Sequence, residues 1–371
     1  MTADILIFVE DPGPAHYAAA LPGALAVKGR RTVVYAAGLS RGALKQRNIP
    51  YLTVDGSSTA ESLLREIQPK ILLTGTSENP DSLGLQLIHA AQRAGIQTAA
   101  FIDAGVNAPH RFRGRSDKAL TYVPDWILVP DDWTRDDFIR IGARADRTVV
   151  CGHPHYDYVL HIARTWTADY RRELKRRILP GLTDGQQVTV FLSEGSERVR
   201  LLSPPTSPLE YSLKGMGNRT GRTEIIIEEF LMAVHALPQR PYLILRLHPK
   251  DQPEDFRIYA EHFDHIDLSS PPLELIFCAD LVVGMTSMLL LEAALLGRKT
   301  LSVVPRQAEK DWLPTVRQDI TPCVMTRPDL IATLQNLLKK DVFVQPDPRS
   351  CITEGSLERL LVFIDGLMNR G

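Results

Sequence analysis

Two apolar runs in the second half of the chain end in residue types that hold phosphate. "ILRLHPKD" closes on Arg246, His248 and Pro249, and "LVVGMTSMLLLEAALLG" carries Gly284, Thr286 and Ser287. Thr286 and Ser287 fall between a strand pattern and a helix pattern, so two hydroxyls meet the free backbone N–H groups of a helix start. The positive end of the helix dipole acts in the same direction, and together they suit an anion. The competing reading is a plain helix cap, which Ser and Thr often supply. Glu292, five residues after Ser287, interrupts an otherwise apolar helix. A buried carboxylate there wants donors, and two ribose hydroxyls would supply them; exposure at a helix end is the plainer alternative.

Arg246 and His248 stand two apart in an extended run, so they share a face while Leu247 points the other way. A His at the carboxyl end of a parallel strand donates to a phosphate or stabilises a departing nucleotide. The alternative is a buried, hydrogen-bonded histidine. His248 and Thr286 are separated by 38 positions, and one intervening strand–helix unit would bring their loops together. "FLSEGS" adds a third strand end, where Ser193, Glu194, Gly195 and Ser196 would present backbone amides to phosphate. An ordinary turn after a strand reads equally well.

In the first half, "VEDPGPAHYAAAL" places Asp11 and His16 around a Pro/Gly turn that enters a helix, a position suited to a general base for an incoming hydroxyl. Asp11 as turn former and His16 as a first-turn helix residue are the structural alternatives. "FIDAGVNAPHRFRG" offers a second candidate base, Asp103, with His110, Arg111 and Arg113 downstream. "VCGHPHYD" has a Gly-x-Pro turn that reads as the exit toward a second domain.

The elements that must position these residues form a regular series. Seven Val/Ile/Leu-rich runs precede residue 160 ("DILIFVE", "RTVVYAA", "PYLTVD", "KILLTGT", "QTAAFIDA", "WILVPD", "RTVVCG"). Six follow residue 185 ("VTVFLS", "YLILRLH", "HIDLSS", "DLVVGM", "KTLSVVP", "PCVMT"). Such runs, alternating with helix-period segments, mark parallel strands covered on both faces. At 371 residues two domains are expected. The reading is α/β, two Rossmann-like doubly wound parallel-sheet domains facing a cleft, with ligands beyond the carboxyl ends of the strands. Residues 1–160 are expected to form an N-terminal domain, 161–185 a basic interdomain helix or linker, and 186–350 a C-terminal domain. Residues 351–371 add a C-terminal helix, with packing back on the first domain as one option.

The formal charge of −1 gives no overall reason to bind nucleic acid. Four scattered cysteines, with no CxxC pair and no His at zinc spacing, argue against a disulfide framework or structural zinc. The N-terminus reads as a first strand rather than a signal peptide, and no apolar run approaches the roughly 20 residues that span a bilayer. A cytoplasmic protein is expected. The basic segment with Arg171, Arg172, Lys175, Arg176 and Arg177 beside Trp166 and Tyr170 offers peripheral contact with anionic lipid, against a solvated interdomain helix. Residues 196–224 exceed ordinary loop length and read either as a mobile lid near the cleft or as a solvated insertion.

Two Rossmann-like domains, the His248-Pro249 pair and the Thr286-Ser287 strand end with Glu292 downstream resemble the GT-B glycosyltransferase superfamily. The resemblance is greatest to bacterial surface-polysaccharide enzymes: sialyl- and Kdo-transferases with HP and serine motifs, and CDP-glycerol glycerophosphotransferases. It implies that His248, Thr286 and Ser287 bind nucleotide phosphates, that Glu292 holds ribose, and that Asp11, His16 or Asp103 is the general base. The expectation is a metal-independent transferase without a cofactor, moving a sugar from a nucleotide-activated donor to a saccharide, lipid-linked or other hydroxyl acceptor. Three alternatives stand beside it: a non-hydrolysing UDP-sugar 2-epimerase-like enzyme, a CDP-glycerol-type phosphotransferase, and a nucleotide-sugar-binding protein without turnover.

Overall fold

The computed structural model describes residues 2–54, 56, 58–195, 211–339 and 344–369. Two compact units emerge: the chain up to Tyr158 together with the residues from Ile352 on, and Val159–Cys351.

Unit 1 is built on seven strands, β1 (Ile5–Val9), β2 (Thr32–Ala36), β3 (Leu52–Thr53), β4 (Ile71–Gly75), β5 (Gln97–Phe101), β6 (Trp126–Val129) and β7 (Thr148–Val150). They lie in the order β3-β2-β1-β4-β5-β6-β7, and the pairings are parallel. Ile5–Val9 is buried at every position, as a strand covered on both faces must be. Two separate apolar clusters provide that cover. Leu6, Phe8, Leu72 and Ala100 pack against Leu64, Ile67 and Ile88, while Ile5, Ile7, Leu73 and Phe101 pack on the opposite face. The C-terminal helix Ser356–Met368 belongs to the second cluster, where Leu360, Ile364 and Leu367 join Leu21 and Leu25. Asp365 of that helix pairs with Lys28 at 2.7 Å.

Unit 2 holds β8 (Val188–Leu192), β9 (Tyr242–Arg246), β10 (His265–Asp267), β11 (Leu281–Gly284), β12 (Lys299–Val303) and β13 (Cys323–Val324) in the order β10-β9-β8-β11-β12-β13, again parallel. Both sheets are therefore doubly wound and Rossmann-like. In each the chain reverses direction across the sheet beside its first strand, between β1 and β4 and between β8 and β11, and such switch points are where ligands of open α/β sheets bind.

The basic segment is part of unit 2. Helix Ala168–Ile178 is capped by Thr167, and three of its cations, Arg171, Lys175 and Arg177, bond within that unit. Arg171 donates to the carbonyls of Phe277, Cys278 and Ala279 and to Asp280, and Arg177 pairs with Glu274 at 2.6 Å. These bonds leave the expected lipid contact without support. No helix among the described residues is long and apolar enough to cross a membrane.

The long stretch 196–224 divides. Residues 196–210 lie outside the described residues, whereas Tyr211 and Leu213 are buried in the unit 2 core. Ser212 N–H donates to the Pro305 carbonyl at 2.9 Å, and the Lys214 and Gly215 amides donate to the buried Glu229. The described part is thus bonded into the unit and not a free loop.

Candidate functional site

Three strand ends of unit 2 meet at two consecutive residues. β8 lies between β9 and β11, so Ser193 and Glu194, which follow it, reach one neighbour each. Ser193 turns to β9: its N–H donates to the Arg246 carbonyl at 3.0 Å, and its hydroxyl accepts from His248 N–H at 2.8 Å and lies 2.5 Å from Asp251 Oδ2. The His248 ring is held as well. Its Nδ1 accepts from Lys250 N–H at 3.1 Å, which leaves the ring proton on Nε2 and makes that atom a donor.

Glu194 turns to β11 and the start of helix Met288–Leu295. Its Oε1 accepts the backbone N–H groups of Met285 at 2.9 Å, Ser287 at 2.7 Å and, between them, Thr286. Its Oε2 accepts the Thr286 hydroxyl at 2.7 Å and Arg222 Nη1 at 3.1 Å. Three successive amides converging on one oxygen make an oxyanion cradle. It is filled by a carboxylate of the chain itself.

Burial alone would push the Glu194 carboxyl up, but the Arg222 guanidinium, the Thr286 hydroxyl and the amides outweigh it and hold the group below the usual glutamate range. Arg222 begins helix Arg222–His235, with a side chain 1% exposed against 11% for Glu194. Its Nε bonds Glu309 at 2.8 Å, and Glu309 in turn pairs with Arg306. Two carboxylates and two guanidiniums thus form a charge-balanced chain, as buried ions require.

The cradle joins Thr286, Ser287 and, through Ser193, the backbone of His248. Ser287 does both jobs expected of it: its hydroxyl caps Leu289 N–H at 3.3 Å while its own N–H faces the anion. Ser193 braces β8 to β9 with its side chain. Gly195 adopts the left-handed region at φ 67°, and its carbonyl accepts the Thr223 hydroxyl at 3.3 Å. Arg246 lies apart from the cradle, its guanidinium paired with Asp267 on β10 and donating to the Ser270 carbonyl at 2.9 Å. Glu292 is 9% exposed, five residues beyond Ser287 in the helix that starts at Met288.

Arg222 and Glu309 are site residues that sequence reasoning did not select, and Glu194 was read there for its backbone amide, whereas its side chain is what fills the cradle. One signal was present. An Arg in the first turn opposes the helix dipole and asks for a local anion.

In unit 1 the ends of β1, β4 and β5 converge. Ser77, after β4, donates to Asp11 Oδ2 at 2.8 Å. Asp103, after β5, is 17% exposed and pairs with Arg111 Nη1 at 3.2 Å. Arg111 also donates to the Thr76 hydroxyl at 3.4 Å and the Ala104 carbonyl at 3.2 Å. A Cβ at Gly13 would overlap Asp103 Oδ2, and one at Gly75 would overlap Pro14, so both glycines are needed for this close approach. Burial pushes the Asp103 carboxyl up against the pull of Arg111, and the negative charge of Asp11 adds to the rise.

His16 stands differently. Burial, His155 and Arg47 push its ring down to about 3, so it is neutral and a weak base near neutrality. It packs on His155 at 4.9 Å between ring centroids, its Nδ1 without a hydrogen-bond partner. No group of three or more His, Cys, Asp or Glu among the described residues is placed to hold a metal ion.

No family model and no curated protein matches the chain. Solved structures do. The UDP-GlcNAc 2-epimerase of Neisseria meningitidis bound to UDP-GlcNAc superposes with a TM-score of 0.67 at 12% identity, covering 100% of both chains. The Methanocaldococcus jannaschii UDP-GlcNAc 2-epimerase in complex with UDP-GlcNAc and UDP gives 0.67 at 14%, covering 100% of both. The S. aureus MnaA–UDP structure gives 0.68 at 12%, covering 99% of this chain and 97% of that one. At such identities the likeness speaks for the fold, that of two Rossmann-like domains which these epimerases share with GT-B glycosyltransferases. The expectation of glycosyl transfer is overturned, because several structures that match nearly the full length of both chains are named as UDP-GlcNAc 2-epimerases. The HP and Thr-Ser motifs stand at strand ends of unit 2, a placement that does not by itself select one reaction of a nucleotide sugar over another.

Proposed function

We propose that this protein binds a nucleoside diphosphate sugar and epimerises the sugar. The observation that carries the reading is the cradle of Met285, Thr286 and Ser287 amides, the Thr286 hydroxyl and Arg222 around a buried carboxylate. A carboxylate oxygen and a phosphate oxygen ask for the same donors, so Glu194 stands in for the ligand's diphosphate and gives way to it. His248 Nε2–H supplies a further donor at the neighbouring strand end, and Glu292 is assigned to the ribose hydroxyls. The reading draws support from the likeness in fold to solved structures with bound UDP-GlcNAc or UDP.

Inverting a carbon that bears hydrogen needs a base to remove a proton on one face and an acid to return one on the other. Asp103 and Asp11 are assigned to that chemistry. Asp103, its carboxyl raised by burial, suits the acid, and Asp11, bonded to Ser77, suits the base. If the carbon–oxygen bond to the diphosphate breaks as the proton is removed, a carbon–carbon double bond forms, and the diphosphate must re-add as a proton returns. The cradle would hold it in between, with donors fixed before charge develops.

The test is incubation with UDP-GlcNAc in D2O, followed by proton NMR at carbon 2. Exchange or inversion there, lost in Asp103→Asn with UDP binding retained, supports the reading. UDP binding without any change of the sugar would leave a nucleotide-sugar-binding protein, and absence of both would refute the proposal.

A further inference from the structure

The unit 2 sheet has a second charged edge, opposite the cradle. At the amino ends of β8, β11 and β12 lies a cavity of about 870 Å3, walled by helix Ala168–Ile178 and by the turns at 179–187 and 297–299. That volume falls in the range of small-molecule sites. Five cations line it, Arg172, Lys175, Arg176, Arg298 and Lys299, against the two carboxylates of Asp184 and Asp280.

Asp280 is already committed. It accepts Val188 N–H at 2.8 Å, Arg171 at 2.7 Å and Lys175 at 3.2 Å. Arg298 Nε donates only to the Leu296 carbonyl at 3.2 Å, and its guanidinium lies 5.3 Å from the Phe277 ring centroid. Neither Arg298 nor Arg176 has a carboxylate partner among the described residues. Burial first and the charge of Arg171 second pull Arg298 down to about 10, with Asp280 acting the other way.

We propose that this cavity is a second binding site, for a phosphorylated small molecule. Arginine forks meet phosphate oxygens two at a time, and the excess of positive charge in a walled space favours a polyanion over a neutral ligand. The site stands on its own geometry and does not depend on what fills the Glu194 cradle.

Inorganic pyrophosphate titrated into the full chain at low salt tests it, in the wild type, in Arg176→Gln/Arg298→Gln and in the cradle variant Thr286→Val. The wild type binds, the double variant loses about tenfold or more in affinity at one site, and Thr286→Val retains that binding event even where it weakens a second one at the cradle. The exposed single variant Arg176→Gln, which threatens no packing, shows a smaller loss in the same direction. Absence of wild-type binding, or a loss that follows Thr286→Val and spares the double variant, overturns the proposal. Co-sedimentation with vesicles of phosphatidylcholine and phosphatidic acid, abolished by pyrophosphate and by the double variant, would assign the phosphate to a lipid headgroup. Pyrophosphate binding without co-sedimentation assigns it to a soluble ligand.

Discussion

Replacing Glu194 by Ala empties the cradle and exposes its energetics. The change strips an acceptor from three backbone amides and the Thr286 hydroxyl, and it removes one of the two carboxylates that balance Arg222. Taking one partner from a buried ion pair costs about 3–5 kcal/mol. A unit of this size loses roughly 2–4 °C of melting temperature per kcal/mol, so a fall of about 10 °C is expected. The vacated donors are then free for an oxyanion. Phosphate at about 100 times its dissociation constant would return about 2.7 kcal/mol, more than half of the loss. Thermal melts of both proteins with and without phosphate read this directly, with sulfate as a second oxyanion. The wild type, whose cradle is filled, should gain little. A loss under about 1 kcal/mol, or a folded variant indifferent to both anions, would refute the idea that these groups form an anion seat. The pH dependence has a definite sign. Because the Glu194 carboxyl is held below the glutamate range, its stabilisation is present above that range and fades as pH falls through the lowered value. Glu194→Ala should lack that fading.

Asp103 carries the opposite sign: its carboxyl is raised, so the stability it contributes is full below the usual aspartate range and is lost as pH climbs through the raised value. Urea unfolding across that window should show Asp103→Asn gaining on the wild type as pH rises. Gly13→Ala drives a methyl group into Asp103 Oδ2, at a cost of about 1–3 kcal/mol, and should disturb the NMR titration of Asp103 while leaving nucleotide binding alone. Arg246→Met takes the guanidinium partner from the 2%-exposed Asp267 and should cost about 3–5 kcal/mol in urea unfolding. If Arg246 instead served the ligand, nucleotide affinity would fall at least tenfold in the folded variant.

The strands were legible because a parallel strand covered on both faces has to be a short, nearly unbroken apolar run; "ILIFV" and "YLILR" are buried at every position. The Thr286-Ser287 strand end was legible for a related reason, since a helix start announces its free donors locally. What occupies those donors was not. Glu194 lies 92 positions from Thr286 and reaches it only because β8 and β11 are neighbours, a pairing that local pattern does not encode. The same blindness made Arg246 look like a phosphate ligand. Its place at a strand end was read correctly, but its partner Asp267 sits on β10, one strand away in the sheet. His16 also looked suitable by type and position, and only the packing of His155 and Arg47 around it shows how weak a base it is. The transfer reaction failed for a different reason: strand ends that suit a nucleotide's phosphates do not say what happens to the sugar.

The central claim is that a nucleotide's diphosphate takes the place of the Glu194 carboxylate. Calorimetric titration of UDP into the wild type and into Glu194→Ala tests it most directly. If the carboxylate competes for the cradle, its removal should tighten UDP binding by about tenfold or more, and Thr286→Val should weaken it in either background. Equal or weaker binding by a folded Glu194→Ala protein would contradict the account, and would make the cradle a structural ion-pair site rather than the seat of a ligand.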